Sequence, residues 1–103
     1  MLNEVDYLLT KLAEEATEIA QRALKAVEFG LDEVQPGQEQ SNAERVGGEV
    51  IDMITILLML ADLGVEIQAS VAADEQVLNA MIAAKKAKVE KYMALSRTLG
   101  KLE

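Results

Sequence analysis

Histidine and cysteine are both absent from the 103-residue chain, and each absence removes a class of chemistry. Without His there is no Ser-His-Asp or Cys-His nucleophile system, no His-ligated zinc and no Glu-x-x-His di-iron bundle. Without Cys there is no disulfide framework and no thiolate metal site. Chemistry has to come from carboxylates, Lys, Arg, Tyr and hydroxyls. Proline occurs once and aromatic residues make up 3% of the chain, while Ala, Leu and Glu dominate, a composition that favours helix over strand. The expected fold class is all-α, and the length predicts a single domain over residues 1–103.

Long apolar runs are missing as well. The longest strongly apolar uncharged run, Met53 to Ala61, is nine residues, against roughly 20 for a membrane-spanning helix, so it reads as core and no membrane partner is expected. Basic charge is scarce: 10 Lys and Arg stand against 18 Asp and Glu, a formal net charge of −8. That balance argues against nucleic acid as a partner, because such binding draws on Lys and Arg meeting phosphates. An anionic ligand would need a cation to mediate. The N-terminus has no basic start, apolar run and small-residue cleavage site, so a cytoplasmic protein is expected.

What is present is helical periodicity. From Val5 the apolar positions run Leu8/Leu9, Leu12, Ala16, Ile19/Ala20, Ala23/Leu24 and Val27, steps of three and four that form a stripe only on a helix. This predicts helix one at about residues 3–29, stopped by Gly30 and followed by a linker rich in turn residues through Gln40. Ser41 with Glu44 fits a capping box, so helix two should begin around Asn42 and run to Leu63, ended by Gly64. Gly47 and Gly48 fall in its first turns, where each costs roughly 1 kcal/mol relative to Ala, and they predict close backbone packing or ligand approach. After a less regular stretch at residues 65–73, Asp74 can cap helix three, reaching about Arg97. Between Val50 and Leu63, ten of fourteen residues are Val, Ile, Leu or Met and they surround nearly the whole helix. Such a helix should be covered on several sides, which predicts a homo-oligomer, a homodimer or tetramer, whose protomers complete a helical bundle.

The acids are clustered. Glu15 and Glu18 are i,i+3, Glu14 and Glu18 are i,i+4, and Glu49 and Asp52 repeat the i,i+3 step. Two such helices side by side would converge carboxylates into an oxygen-rich site suited to Mg²⁺, or Mn²⁺ in its place. On a helical wheel Glu15 borders the apolar stripe, Glu18 lies further round and Glu14 is nearly opposite, with Lys11 and Arg22 beside Glu15 and Glu18. Helix one taken alone therefore also reads as a solvated face with i,i+4 ion pairs. Glu49 and Asp52 share a sector with Ile56, Met59, Leu60 and Leu63, so they project from what is otherwise core. A carboxylate there is costly unless metal-bound or paired, Lys or Arg from helix three being the alternative partner.

At these residues the chain resembles a family. Glu14-Glu15-x-x-Glu18 followed by Glu49-x-x-Asp52 is similar to the EExxE…ExxD signature of the all-α nucleoside triphosphate pyrophosphohydrolases of the MazG type. Leu12-Ala13-Glu14-Glu15, Phe29-Gly30-Leu31-Asp32, Asn42-Ala43-Glu44-Arg45 and Lys88-Val89-Glu90-Lys91-Tyr92 resemble its short, single-domain members. The thirty residues between Glu18 and Glu49 slightly exceed the usual interval, implying a longer loop. The resemblance implies a helical bundle with two acidic metal-binding helices, hydrolysing (deoxy)nucleoside triphosphates to monophosphate and pyrophosphate with Mg²⁺. It implies Glu15, Glu18, Glu49 and Asp52 as metal ligands and Glu14 as a supporting acid that, with Glu15, serves the catalytic water. Lys85, Lys88, Lys91 and Arg97 are candidates for substrate phosphates, against the plainer reading of a solvated face complementing the helix dipole. Phosphoribosyl-ATP or dUTP as the substrate, and a non-catalytic helical oligomerisation module, remain open alternatives.

Overall fold

The computed structural model describes residues 1–65, 67 and 74–103, and among them there are three α-helices and no strand. They are α1 (Glu4–Phe29), α2 (Asn42–Asp62) and α3 (Glu75–Thr98). The all-α expectation is met, and no helix among the described residues is long and apolar enough to cross a membrane. The chain divides into two compact units, Met1–Ile67 and Gln68–Glu103.

Helix boundaries follow local chemistry. The Asn3 side chain accepts the Asp6 backbone N–H at 2.8 Å to start α1, and Gly30, at φ +99°, ends it in a left-handed backbone that suits glycine. Ser41 and Glu44 form the reciprocal capping box at the start of α2. Asp74 caps α3 by accepting the backbone N–H groups of Gln76 and Val77.

In the first unit α1 and α2 run antiparallel: Tyr7 and Leu8 lie with Met59 and Leu63, while Ala26 lies with Ala43 and Val46. The seam of α1 consists of Val5, Leu8, Leu12, Glu15, Ile19, Arg22 and Ala26, all buried or half-buried and spaced alternately by three and four. On α2, Asn42, Val46, Glu49, Met53, Ile56 and Leu60 are likewise buried or half-buried. The sequence pattern is corrected in one respect. The predicted stripe included Ala16, Leu24 and Val27, but all three are exposed, Val27 at 84%; the seam runs instead through Glu15 and Arg22.

One buried polar residue ties the linker to α2. Asn42, 2% exposed, donates through Nδ2 to the Gly30 carbonyl at 2.8 Å and to Glu33 Oε1 at 3.3 Å. Its backbone N–H donates to the Glu33 carbonyl, and Arg45 donates to Gln35 Oε1. Asn42→Ala removes two hydrogen bonds and leaves the Gly30 carbonyl without its side-chain donor. A loss of about 1–3 kcal/mol in chemical denaturation is expected; an unchanged midpoint would contradict this role. Close backbone packing at Gly47 and Gly48, one of the two readings of these glycines, is not seen within the described residues: a Cβ at either would touch nothing within 4 Å. Close packing against α1 therefore does not account for them.

The second unit contains α3. Lys85, Lys88, Lys91 and Arg97 are all exposed there, and no residue of the helix is buried. Arg97 Nε donates to the Glu103 carbonyl at 2.7 Å.

Candidate metal centre

The seam brings three acids together at its middle. Glu15 and Glu18 reach it from α1, Glu49 from α2, and one carboxylate oxygen of each lies within 4.8 Å of the other two. Glu49 is held against α1 with its side chain only 17% exposed, Glu15 is half-buried and Glu18 is exposed. Glu14, one position from the seam, points to solvent and pairs with Lys11 at 3.0 Å.

Asp52 stands apart from this trio. The expectation that Glu49 and Asp52 both project from core holds for Glu49 alone, because three residues of helix turn about 300°, carrying Asp52 roughly 60° off the seam, where it is exposed. Its charge is still felt there, raising the pKa values of both Glu15 and Glu49.

The electrostatics are those of anions crowded without enough compensating charge. Glu49 is raised from 4.5 to about 7, first by hydrogen bonding with Glu18, then by burial, then by the charges of Glu18, Glu15 and Asp52. Glu15 is also raised, chiefly by burial and next by the charges of Glu18 and Asp52, against a lowering hydrogen bond from Glu49. With all the acids ionised, Glu15 Oε2 and Glu49 Oε2 are buried oxygens with no donor. A proton shared within the cluster relieves that conflict, and so would a cation.

Ion pairing does not follow the helix-one pattern the sequence suggested. The intrahelical pairs are Lys11 with Glu14 and Lys25 with Glu28, both i,i+3. Among the described residues neither Glu15 nor Glu18 is ion-paired, whereas Glu14 and Glu18 are exposed. Arg22 crosses from α1 to Glu49, Nε to Oε1 at 3.9 Å. The cation facing Glu49 therefore comes from α1. The sequence places Arg22 beside Glu18 on α1 but not across the seam against Glu49, and it gives Asn42 no role beyond starting α2; the signal for a seam position at Arg22 is its spacing of seven from Glu15, one full repeat.

The donor set fits a hard divalent cation. All-oxygen ligands are what Mg²⁺ and Mn²⁺ take, and Glu15, Glu18 and Glu49 each bring a carboxylate oxygen within 4.8 Å of the other two. A hollow of about 520 Å³ between Tyr7, Leu8, Met59 and Leu63 lies about two turns away along the seam and contains none of these acids. The chain matches no family model, no curated protein and no solved structure.

Proposed function

We propose that the chain is a Mg²⁺-dependent pyrophosphohydrolase of nucleoside triphosphates, with Mn²⁺ able to replace Mg²⁺, and that it belongs with the MazG-type enzymes its acidic motifs resemble. The observation that carries this reading is the convergence of Glu15, Glu18 and Glu49 across two helices, with two buried carboxylate oxygens lacking any donor. Such a cluster is unfavourable by itself and becomes favourable around a cation. Glu15, Glu18 and Glu49 would hold the metal from the seam, and Asp52 would complete the set from its rim. When bound, Mg²⁺ supplies charge neutralisation at phosphate oxygens and lowers the pKa of a coordinated water. Glu14 would be a supporting acid, orienting a metal-bound water or a second ion. Lys85, Lys88, Lys91 and Arg97, all exposed on α3, are proposed as phosphate-binding residues. An enzyme of this kind would work on nucleotide pools in the cytoplasm.

The reading includes a homo-oligomer. On α2, Ile51, Ile54 and Leu58 remain 64%, 47% and 56% exposed, an uncharged i,i+3,i+7 row that could meet its own copy without opposing like charges.

Incubation with each nucleoside triphosphate and Mg²⁺, followed by product separation, tests the activity. Monophosphate plus pyrophosphate is the expected pair; orthophosphate without pyrophosphate would contradict the assigned cleavage. Absence of turnover across the panel, together with absence of Mg²⁺ or Mn²⁺ binding, would leave the oligomerisation-module reading in its place.

A further inference from the structure

Among the described residues Arg22 is the basic side chain within 4 Å of a cluster carboxylate, and its setting is unusual for a surface ion pair. It occupies a seam position, seven residues after Glu15 and four after Glu18, with its side chain 31% exposed where Glu49 is 17% exposed. The side chain is thus largely covered while its Nε faces Glu49. The contact with Glu49 is 3.9 Å from Nε to Oε1, a charge contact beyond hydrogen-bond length. It uses one of the two Glu49 oxygens, while the other, Oε2, is the buried oxygen without a donor.

Resting on the metal-dependent reading above, we propose that Arg22 is a substrate-contacting residue, its guanidinium exchanging Glu49 Oε1 for a phosphate oxygen of the metal-bound polyphosphate. Three considerations carry this. The planar guanidinium offers a fork of N–H donors matched to phosphate, and a single long contact to Glu49 leaves most of those donors free. A cation coordinated by Glu49 competes with Arg22 for that carboxylate's charge, so metal loading weakens the existing contact. The acids Glu15, Glu18, Glu49 and Asp52 carry four negative charges when ionised, which one divalent ion does not neutralise, and a fixed positive group beside them lowers the repulsion met by an arriving polyanion. Lys11, the other cation near this stretch of α1, is engaged with Glu14 at 3.0 Å and lies over the Tyr7 ring.

A substrate-contacting Arg22 has effects of opposite sign on metal and on phosphate. The probes are Mn²⁺ alone, read by its paramagnetic resonance signal, and inorganic tripolyphosphate with Mg²⁺, read by titration calorimetry, on the wild-type protein, Arg22→Gln and Arg22→Lys. For Arg22→Gln, Mn²⁺ binding is expected to tighten about two- to fivefold, because a positive charge beside the site is gone, while tripolyphosphate binding weakens about tenfold. Arg22→Lys should recover part of the second loss, since it restores charge without the fork. Tripolyphosphate binding unchanged in Arg22→Gln would overturn the proposal. So would a joint loss of Mn²⁺ and tripolyphosphate binding with a lowered melting temperature, the signature of a residue that only fastens α1 to α2. Wild-type protein that binds neither probe would sink the metal-dependent reading itself and this proposal with it, and that result is distinct because no variant is needed to see it.

Discussion

Glu49→Gln is expected to lower nucleotide turnover by roughly 10²–10³, the range seen when a group that sets charge at a reacting centre is lost, and at the same time to make the metal-free protein more stable at pH 8. The two effects have one cause. Glu49 titrates at about 7 in the folded chain against an ordinary value of 4.5, with hydrogen bonding to Glu18 as the first reason and burial as the second. The folded state therefore binds a proton that the unfolded state has already lost between about pH 4.5 and 7. Stability from this group is fully present below about pH 4.5 and declines as pH rises through about 7. Chemical denaturation with a chelator present, repeated from pH 5 to pH 8, should show wild-type stability falling over that window. The Gln variant, which carries no charge there at any pH, should show a flatter profile and exceed wild type at pH 8 by up to about 1 kcal/mol after solvent screening. Added Mg²⁺ should reverse the order, stabilising the wild type above pH 7, where the proton no longer competes with the ion, and leaving the variant nearly unaffected. Glu15→Gln and Asp52→Asn should abolish turnover while retaining helical circular dichroism. Wild-type-like turnover in Glu49→Gln would refute the proposed site.

The helix termini were readable in advance because each rests on a few adjacent residues: Ser41 with Glu44, Asp74 before Glu75, Gly30 after Phe29. The seam was not. A helix with apolar residues at both Leu8 and Leu9, and again at Ile19 and Ala20, offers two neighbouring three-four rows, and hydropathy favours the row through Ala16, Leu24 and Val27. The row actually packed contains Glu15 and Arg22, and its choice depends on α2, whose apolar residues surround the helix and so do not select a register by themselves. Convergence of Glu15, Glu18 and Glu49 was legible from spacing, whereas the outward turn of Asp52 and the reach of Arg22 to Glu49 depend on how the two helices are rotated against each other. A single helical wheel contains no such information. Asn42 was hidden for a related reason: its partners, the Gly30 carbonyl and Glu33, lie across a linker without periodicity.

Ile54→Lys should raise the dissociation constant of the assembly by about 10³. Of the apolar residues in the first unit, only Leu8, Ala26 and Leu60 are buried, a thin core, while Ile51, Ile54 and Leu58 form an exposed row on α2. Burying side chains of this kind contributes about 1.5–3 kcal/mol each. Each is already about half covered within the chain, so with the three residues counted twice in an isologous contact the gross gain is about 5–10 kcal/mol, against a cost of association of about 4–15 kcal/mol. The row is thus large enough to decide whether copies associate and small enough that one residue matters. A lysine at position 54 removes about 1 kcal/mol of remaining burial from each side and sets a positive charge into the apolar contact on each side, at a further cost of about 1 kcal/mol each. The combined loss of about 4 kcal/mol corresponds to roughly three powers of ten in affinity. Analytical ultracentrifugation across micromolar concentrations should show wild type as a dimer or tetramer and Ile54→Lys shifted to smaller species with its helical content retained. A folded wild-type monomer at those concentrations would remove the oligomer from the proposal. The metal site would survive that result, because Glu15, Glu18 and Glu49 converge within one chain.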